Sequence, residues 1–386
     1  MIRILIIRTY PSILDSDGYN IQETGLAKAL VRAGAACDVV LYNGNNADEI
    51  REIKVPGTEN GVVKVYMRHG KGILKNGFFP GLKQITEEYD ILQVNEYDQI
   101  TSWLYYTRSK KPVVIYHGPY YDEFNKGYNF KCRVFDNTFL KLGMHKDILC
   151  LTKSNAAASF LKQKGFDNTA SIGVGLDTDN FSKAKDADKQ IAKIDEIWDQ
   201  NKWNIIYVGK IEPRRNPYLL LEIAGRLKDI DENIGLTIIG SGEKEYIKEW
   251  KETADRYIKD GVLTYIEKMS QNDLRDVYTK AKLMIFPSNY EIFGMVLLEA
   301  MYFDLPVISS DNGGSDTLIN DGLNGVIVKE FEKDAWLNAI ENIYRDKERY
   351  DNIKNNLKTT DHSIYTWDGI AANYLLNLKE HGLIKE

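Results

Sequence analysis

The sequence predicts an α/β protein of two Rossmann-like domains facing a central cleft. Three observations carry this reading. Short apolar runs alternate with helix-period segments along nearly the whole chain, the pattern that parallel sheets with crossover helices require. The pattern runs twice, from Ile2 and again from Trp203, with a Lys/Asp/Ala-rich stretch between the runs. The chain has 386 residues, enough for two domains at roughly 100–200 residues each.

Taken in order, residues 2–7 read as a buried parallel strand, followed by a polar, glycine-containing loop over 15–20. GLAKALVRAG repeats apolar residues at helical spacing and stops at Gly34. Further strands are expected at 37–42, 62–67, 90–94, 112–116 and 147–151, with helices around 98–107, 130–142 and 153–164. Residues 183–202 read as a linker with one short exposed helix. The second run opens with a strand at 203–209, a glycine turn and a helix from Pro217. GLTIIGSG repeats that arrangement, and VLTYI, KLMIF and PVISS supply later strands. The tail, 363–380, is an amphipathic helix with Ile364, Trp367, Ile370, Ala371, Tyr374 and Leu375 on its apolar face. The expected division is 1–182, linker 183–202, 203–362, and a terminal helix 363–386.

Composition narrows the function classes. Apolar residues make up 43% and charged residues 27%, as in ordinary globular enzymes. Net charge is −6 and the basic residues are scattered, which argues against nucleic acid as a partner. Cys37, Cys132 and Cys150 are few, odd in number and without metal-ligand spacing, so a reducing cytoplasm fits. No run approaches the roughly 18 apolar residues of a membrane span, and the opening residues are too quickly polar for a signal peptide. Contact with a membrane surface stays open, with Lys71, Lys75, Lys83, Phe78 and Phe79 as one candidate edge.

The most informative stretch is NYEIFGMVLLEA, with Glu291 and Glu299 eight positions apart. A strand and a Pro-Ser turn precede it, and a helix is expected from Gly294. A helix start there aims free backbone N–H groups and a positive dipole end outward, a place for phosphate. At ~1.5 Å per helical residue the two acids stand on the order of 10 Å apart. That span suits the two ends of an extended ligand better than a pair of carboxylates sharing one bond.

Other loops fall at carboxyl ends of strands, where open α/β sheets bind ligands. VGKIEPRRNP places Gly209 after a strand with Lys210, Arg214 and Arg215 beside it, cations suited to a diphosphate that gains charge as it leaves. IIGSGE contains only a lone G-x-G, a weak signal that is often just a tight turn, and no GxGxxG is present. Gly313–Gly314 precede a short helical pattern and are candidates to turn backbone amides toward a ligand. His117 follows a strand and precedes Gly118, a position for hydrogen bonding or proton transfer. The strings Asp15/Asp17, Asp177/Asp179 and Asp186/Asp188 read as surface or capping residues rather than metal ligands. The aromatic run Tyr120, Tyr121, Phe124 and Tyr128 suits either sugar stacking or core packing.

Together these loops resemble the retaining glycosyltransferases of the GT-B fold, family 4 type. The resemblance rests most firmly on the E-x7-E motif from Glu291 to Glu299. Lys210 stands where that family usually has Arg, Arg215 where it has Lys, and Asp316 where Glu is common. Asp17-Gly18-Tyr19 replaces its N-terminal Gly-Gly loop, and SIGVGLDTDNF resembles its interdomain segment. The resemblance implies a tail helix crossing back onto the N-terminal domain. It also implies a nucleotide-sugar donor, UDP-linked on family frequency, and a glycan or lipid-linked glycan acceptor in cell-surface polysaccharide synthesis.

In that frame Glu299 holds the ribose, Glu291 the sugar, and Lys210 and Arg215 the leaving diphosphate. Gly209, Phe293, Gly294, Met295 and Val296 complete the donor site, His117 contacts the sugar, and Gly18, Tyr19 and Tyr120 lie on the acceptor side. No metal and no cofactor is expected, since cations and a helix terminus take over the task of Mg2+. A sugar-nucleotide epimerase, hydrolase or phosphorylase of the same fold, or a non-catalytic nucleotide-sugar-binding protein, are the alternatives.

Overall fold

A computed structural model describes residues 1–14, 21–73, 75–144, 147–178, 193–198 and 202–385. Gly18 and Tyr19, Asp15 and Asp17, Asp179, Asp186 and Asp188, and most of the expected linker lie outside the described residues. The chain forms two compact units, Met1–Asp177 with Ser363–Glu386, and Thr178–His362.

Among its described residues the first unit carries ten strands: β1 (Arg3–Ile7), β2 (Ala36–Tyr42), β3 (Glu49–Lys54), β4 (Val62–Arg68), β5 (Lys71–Ile73), β6 (Asn76–Phe78), β7 (Ile91–Asn95), β8 (Val113–His117), β9 (Leu149–Thr152) and β10 (Thr169–Ser171). Eight of them form one sheet in the order β10-β9-β8-β7-β1-β2-β4-β3. Every pairing in it is parallel except β3 with β4. The central strands are apolar throughout because helices cover both faces; Ile4 to Ile7 are wholly buried. Sequence patterning misses β3 and the small β5–β6 hairpin. EIREIK is an exposed, charged edge strand, which protects the sheet edge but leaves no apolar run to read.

The tail helix, Trp367–Glu380, packs on the helix Gln22–Arg32 within the first unit. Trp367 fixes the fit: a Cβ on Gly25 or Gly175 would fall 2.4 or 2.2 Å from its indole. Ile370, Ala371 and Tyr374 are buried as the helical spacing predicts, whereas Ile364 precedes the helix and stays exposed. The helix expected over 130–142 begins earlier, as Lys126–Phe135, and continues as a π-helical turn, Asp136–Leu140.

The second unit holds β11 (Trp203–Val208), β12 (Ile234–Ile239), β13 (Leu263–Ile266), β14 (Leu283–Phe286), β15 (Val307–Ser310) and β16 (Val326–Val328). They form an all-parallel sheet in the order β13-β12-β11-β14-β15-β16. The order reverses between β11 and β14, so the loops leaving these two neighbours splay apart and open a crevice at their carboxyl ends.

Candidate functional site

The crevice in the second unit is built by the loops that leave β11 and β14. Asn216 clips them together: its side-chain amide donates to the Pro287 carbonyl and to Asn289 Oδ1, each at 2.9 Å. The Asn289 amide in turn donates to the Arg214 carbonyl at 2.8 Å. Asn216 adopts a left-handed backbone, φ 49°, which lets the 3-10 turn Pro213–Arg215 run straight into the helix from Pro217.

Glu291 is the hub. Its Oε1 lies 2.7 Å from Arg215 Nη2, 2.9 Å from Arg214 Nη1 and 3.1 Å from Ser288 Oγ. Glu212, between both arginines, takes Arg214 Nε at 2.8 Å and Arg215 Nε at 3.4 Å. Arg215 lies over the Phe286 ring, 5.1 Å from its centroid. Its remaining group, Nη1, is buried and makes no hydrogen bond of good geometry, although the Tyr207 hydroxyl interacts with the same side chain. That nitrogen sits beside Gly209, whose Cβ, if present, would be 3.0 Å away. Lys210 is exposed, with no carboxylate in ion-pair reach among the described residues.

Gly294 turns the chain with φ 76° and caps Met295–Tyr302 without any side chain. The first-turn N–H groups of this eight-residue helix therefore receive no side-chain oxygen. The neighbouring helix Gly313–Leu318 differs. Asn312 and Ser315 close it with a capping box in which Asn312 Oδ1 accepts from the Gly314 and Ser315 amides at 2.9 and 3.1 Å. Of the glycine pair, the Gly314 amide is thus occupied by the cap. Gly314 has a steric role instead, since a Cβ on it would lie 2.5 Å from the Phe293 carbonyl oxygen. Phe293 is buried, and Met295 and Val296 are half-buried at the helix start.

Glu299 is buried at the other end of the motif, where Tyr278 Oη donates to its Oε2 at 2.8 Å. Tyr278 stacks on Phe303, which holds the phenol in place. No local motif points to Tyr278; it comes from the preceding helix, Gln271–Lys280, and only the fold brings it to Glu299.

The G-x-G at 240–242 serves packing. A Cβ on Gly240 would lie 1.8 Å from the Gly209 carbonyl oxygen, and one on Gly242 2.0 Å from that of Ile211. Two glycines let this turn lie flat against the Gly209 loop, where the Ile211 amide donates to the Ser241 carbonyl.

In the first unit, His117 ends β8 and is wholly buried, stacked on Phe160 and edge-on to Tyr97. Its Nδ1 lies 2.6 Å from Glu96 Oε2 in ion-pair contact, but neither ring nitrogen has a hydrogen bond of good geometry. Burial opposes a charge on Glu96, yet Lys153 and His117 beside it outweigh that and hold its carboxyl at about 2. Glu96, Asp98 and His117 are the one grouping among the described residues close enough to share a metal ion. Lys153 and Lys131 are paired with its two carboxylates, at 3.5 and 2.9 Å. Tyr120, Tyr121 and Tyr128 are half-buried against the core, whereas Phe124 and Phe130 are exposed. Phe78 and Phe79 are half-buried rather than an exposed edge. All three cysteines are free and buried. No helix among the described residues is long and apolar enough to cross a membrane.

The chain is 27% identical over 190 residues to a D-inositol 3-phosphate glycosyltransferase of Paenarthrobacter aurescens, covering 47% of this chain and 44% of that protein. It is 30% identical over 184 residues to the lipopolysaccharide 1,2-N-acetylglucosaminetransferase of Salmonella typhimurium, covering 45% and 48%. It thus spans about half the length of the curated relatives it matches. The crystal structure of Anabaena HepE in complex with UDP and glucose superposes over 98% of this chain and 100% of that one, at TM-score 0.68 and 16% identity. Residues 188–360 match the family described as glycosyl transferases group 1, and the chain as a whole has the two-Rossmann-domain GT-B fold.

Proposed function

We propose that the protein is a retaining, family 4 type glycosyltransferase that moves a hexose from a UDP-sugar to a hydroxyl on a glycan or lipid-linked glycan. The observation that carries this reading is the buried Arg215 Nη1 beside Gly209, which makes no hydrogen bond of good geometry. A buried guanidinium donor without an acceptor is costly, and an incoming diphosphate oxygen satisfies it. The bare start of the helix Met295–Tyr302 offers further N–H donors to the same anion.

On this reading the sugar C1–O bond to the diphosphate breaks as the acceptor hydroxyl oxygen bonds to C1 on the same face. The hydroxyl proton passes to the departing phosphate oxygen. Arg215 and Lys210 stabilise the charge that grows there, so the step proceeds without a metal ion. Glu291, held through Oε1, orients the donor sugar, and Glu299 takes the ribose hydroxyls. His117 belongs to the sugar-binding set and Tyr120 to the acceptor side. The protein works at the cytoplasmic side of the envelope, in surface-polysaccharide synthesis.

A thermal-shift panel of nucleotide sugars tests the proposal, because a ligand bound to the native state raises its melting temperature. UDP-sugars are expected to give the largest rise in wild type and a smaller one in Arg215→Ala. A flat response across UDP-, GDP- and ADP-sugars overturns the donor assignment.

A further inference from the structure

The first unit holds a cavity of about 850 Å3, within the range of small-molecule sites. It lies behind the loops that leave β2 and β4, the ligand-binding edge of an open parallel sheet. The β5–β6 hairpin and the helix Ile100–Arg108 close it. The hairpin is laid tightly: a Cβ on Gly70 would fall 2.5 Å from the Phe78 carbonyl oxygen, and one on Gly72 2.9 Å from Pro11.

The walls are Phe78, Phe79, Leu82, Leu104 and Tyr105. Thr101 also reaches the lining, but its hydroxyl already donates to the Gly77 carbonyl at 2.6 Å. Asn45 and Asn46 also line the cavity but are exposed, so a sugar ring set against the aromatic and aliphatic walls would bury hydroxyls that find few partners, and the interior suits an apolar group. Charge sits apart from these walls. Lys71 and His69 line the cavity, and no carboxylate does among the described lining residues. Asp48, next to His69, is already matched by His69 Nδ1 at 2.7 Å and Arg68 Nη1 at 2.6 Å. Lys71 has no carboxylate in ion-pair reach among the described residues.

We propose that this cavity binds an amphipathic anion, with an apolar chain or ring system against the aromatic and aliphatic walls and the anionic group at Lys71 and His69. That this ligand is the acceptor, or the carrier of the acceptor, rests on the transferase reading; the binding itself does not. Farnesyl monophosphate, kept below its critical micelle concentration and titrated calorimetrically into the full chain, is the probe. It is expected to bind saturably at one site, with farnesol about tenfold weaker and inorganic phosphate without measurable heat.

Lys71→Glu should lower farnesyl monophosphate to the farnesol level and leave farnesol unchanged. Ala47→Trp, which adds bulk from an exposed lining position, should block both while the melting temperature holds. Absence of saturable binding overturns the proposal. So does phosphate binding as tightly as farnesyl monophosphate, and so does binding that Ala47→Trp leaves intact in a protein of unchanged melting temperature. UDP-glucose is titrated in parallel. A response to it without one to farnesyl monophosphate removes this inference and leaves the donor reading standing; farnesyl monophosphate binding by a protein that answers none of the UDP-, GDP- and ADP-sugars removes the donor reading and keeps the cavity as a ligand site.

Discussion

Arg215 and Glu299 are the two residues on which most depends, and they differ in kind. Arg215 meets Glu291 and Glu212 with two nitrogens and keeps a third without a hydrogen bond of good geometry. On the proposed reading its charge matters most when the leaving group gains charge. Arg215→Ala is therefore expected to lower kcat about 10²–10³-fold, as loss of one preorganised donor does, with a smaller change in donor affinity; steady-state kinetics with calorimetry separates the two. Glu299 is buried and anchored by Tyr278. Tyr278→Phe leaves a buried carboxyl oxygen without this donor and should cost about 1–3 kcal/mol of stability. It should also weaken donor binding, and an unchanged donor Kd argues against a positioning role. The sequence names Glu291, Glu299 and Arg215 because a fixed spacing and a basic turn mark them. It does not name Tyr278 or Glu212, whose pairing depends on helix packing and on the 3-10 turn. Glu96 is also out of reach of pattern reading: it takes a left-handed backbone, φ 59°, just past β7. Its carboxyl is held at about 2, below the roughly 4.3 of an unfolded glutamate. It contributes stability above pH ~4.3 that is lost as pH falls toward 2. Glu96→Gln should flatten the urea-midpoint profile over that interval relative to wild type.

Elements were legible in proportion to how far they are buried. The parallel strands and their crossover helices write continuous apolar runs and helical spacings, and these place most strands of both sheets within a residue or two of the observed bounds, though not the short outermost parallel strands β10 and β16. The edge strand β3, the β5–β6 hairpin and the π-helical turn at Asp136–Leu140 leave no such trace. Glycine motifs were legible as turns but not as to purpose. Gly314, Gly240 and Gly242 are glycines because a neighbouring backbone passes too close for a Cβ. Gly240→Ala should thus cost about 3 kcal/mol or more. Gly34→Ala has a positive φ of 90° but open space around it, and should cost about 1–2 kcal/mol. Urea midpoints of the two variants decide; equal losses would mean that backbone angle, not crowding, dominates at Gly240.

At the scale of the molecule, the first unit is discontinuous in sequence. Its core takes Met1–Asp177 from one end and Ser363–Glu386 from the other. Trp367, buried against Gly25 and Gly175, is the main weld. Trp367→Ala is expected to destabilise this unit by about 3–5 kcal/mol. A fragment ending at Asp177 should melt well below the same fragment supplied with the tail helix. The doubling of the α/β pattern was readable from the sequence; the pairing of the two chain ends in one unit was suggested only by family resemblance, since amphipathic spacing shows that a helix is covered but not by what.

The chain enters and leaves the second unit at adjacent points. The Leu176 amide donates to the Tyr365 carbonyl at 2.7 Å, and Leu176 bridges Thr366 in parallel register. In topological terms the second unit is an insertion into the first, spliced at a single seam. Such a seam invites cassette exchange: residues 178–362 from a relative with another nucleotide preference, ligated between Asp177 and Ser363, leave every other strand connection of the host intact. On the proposed reading, donor choice and acceptor choice then become separately heritable traits of one polypeptide.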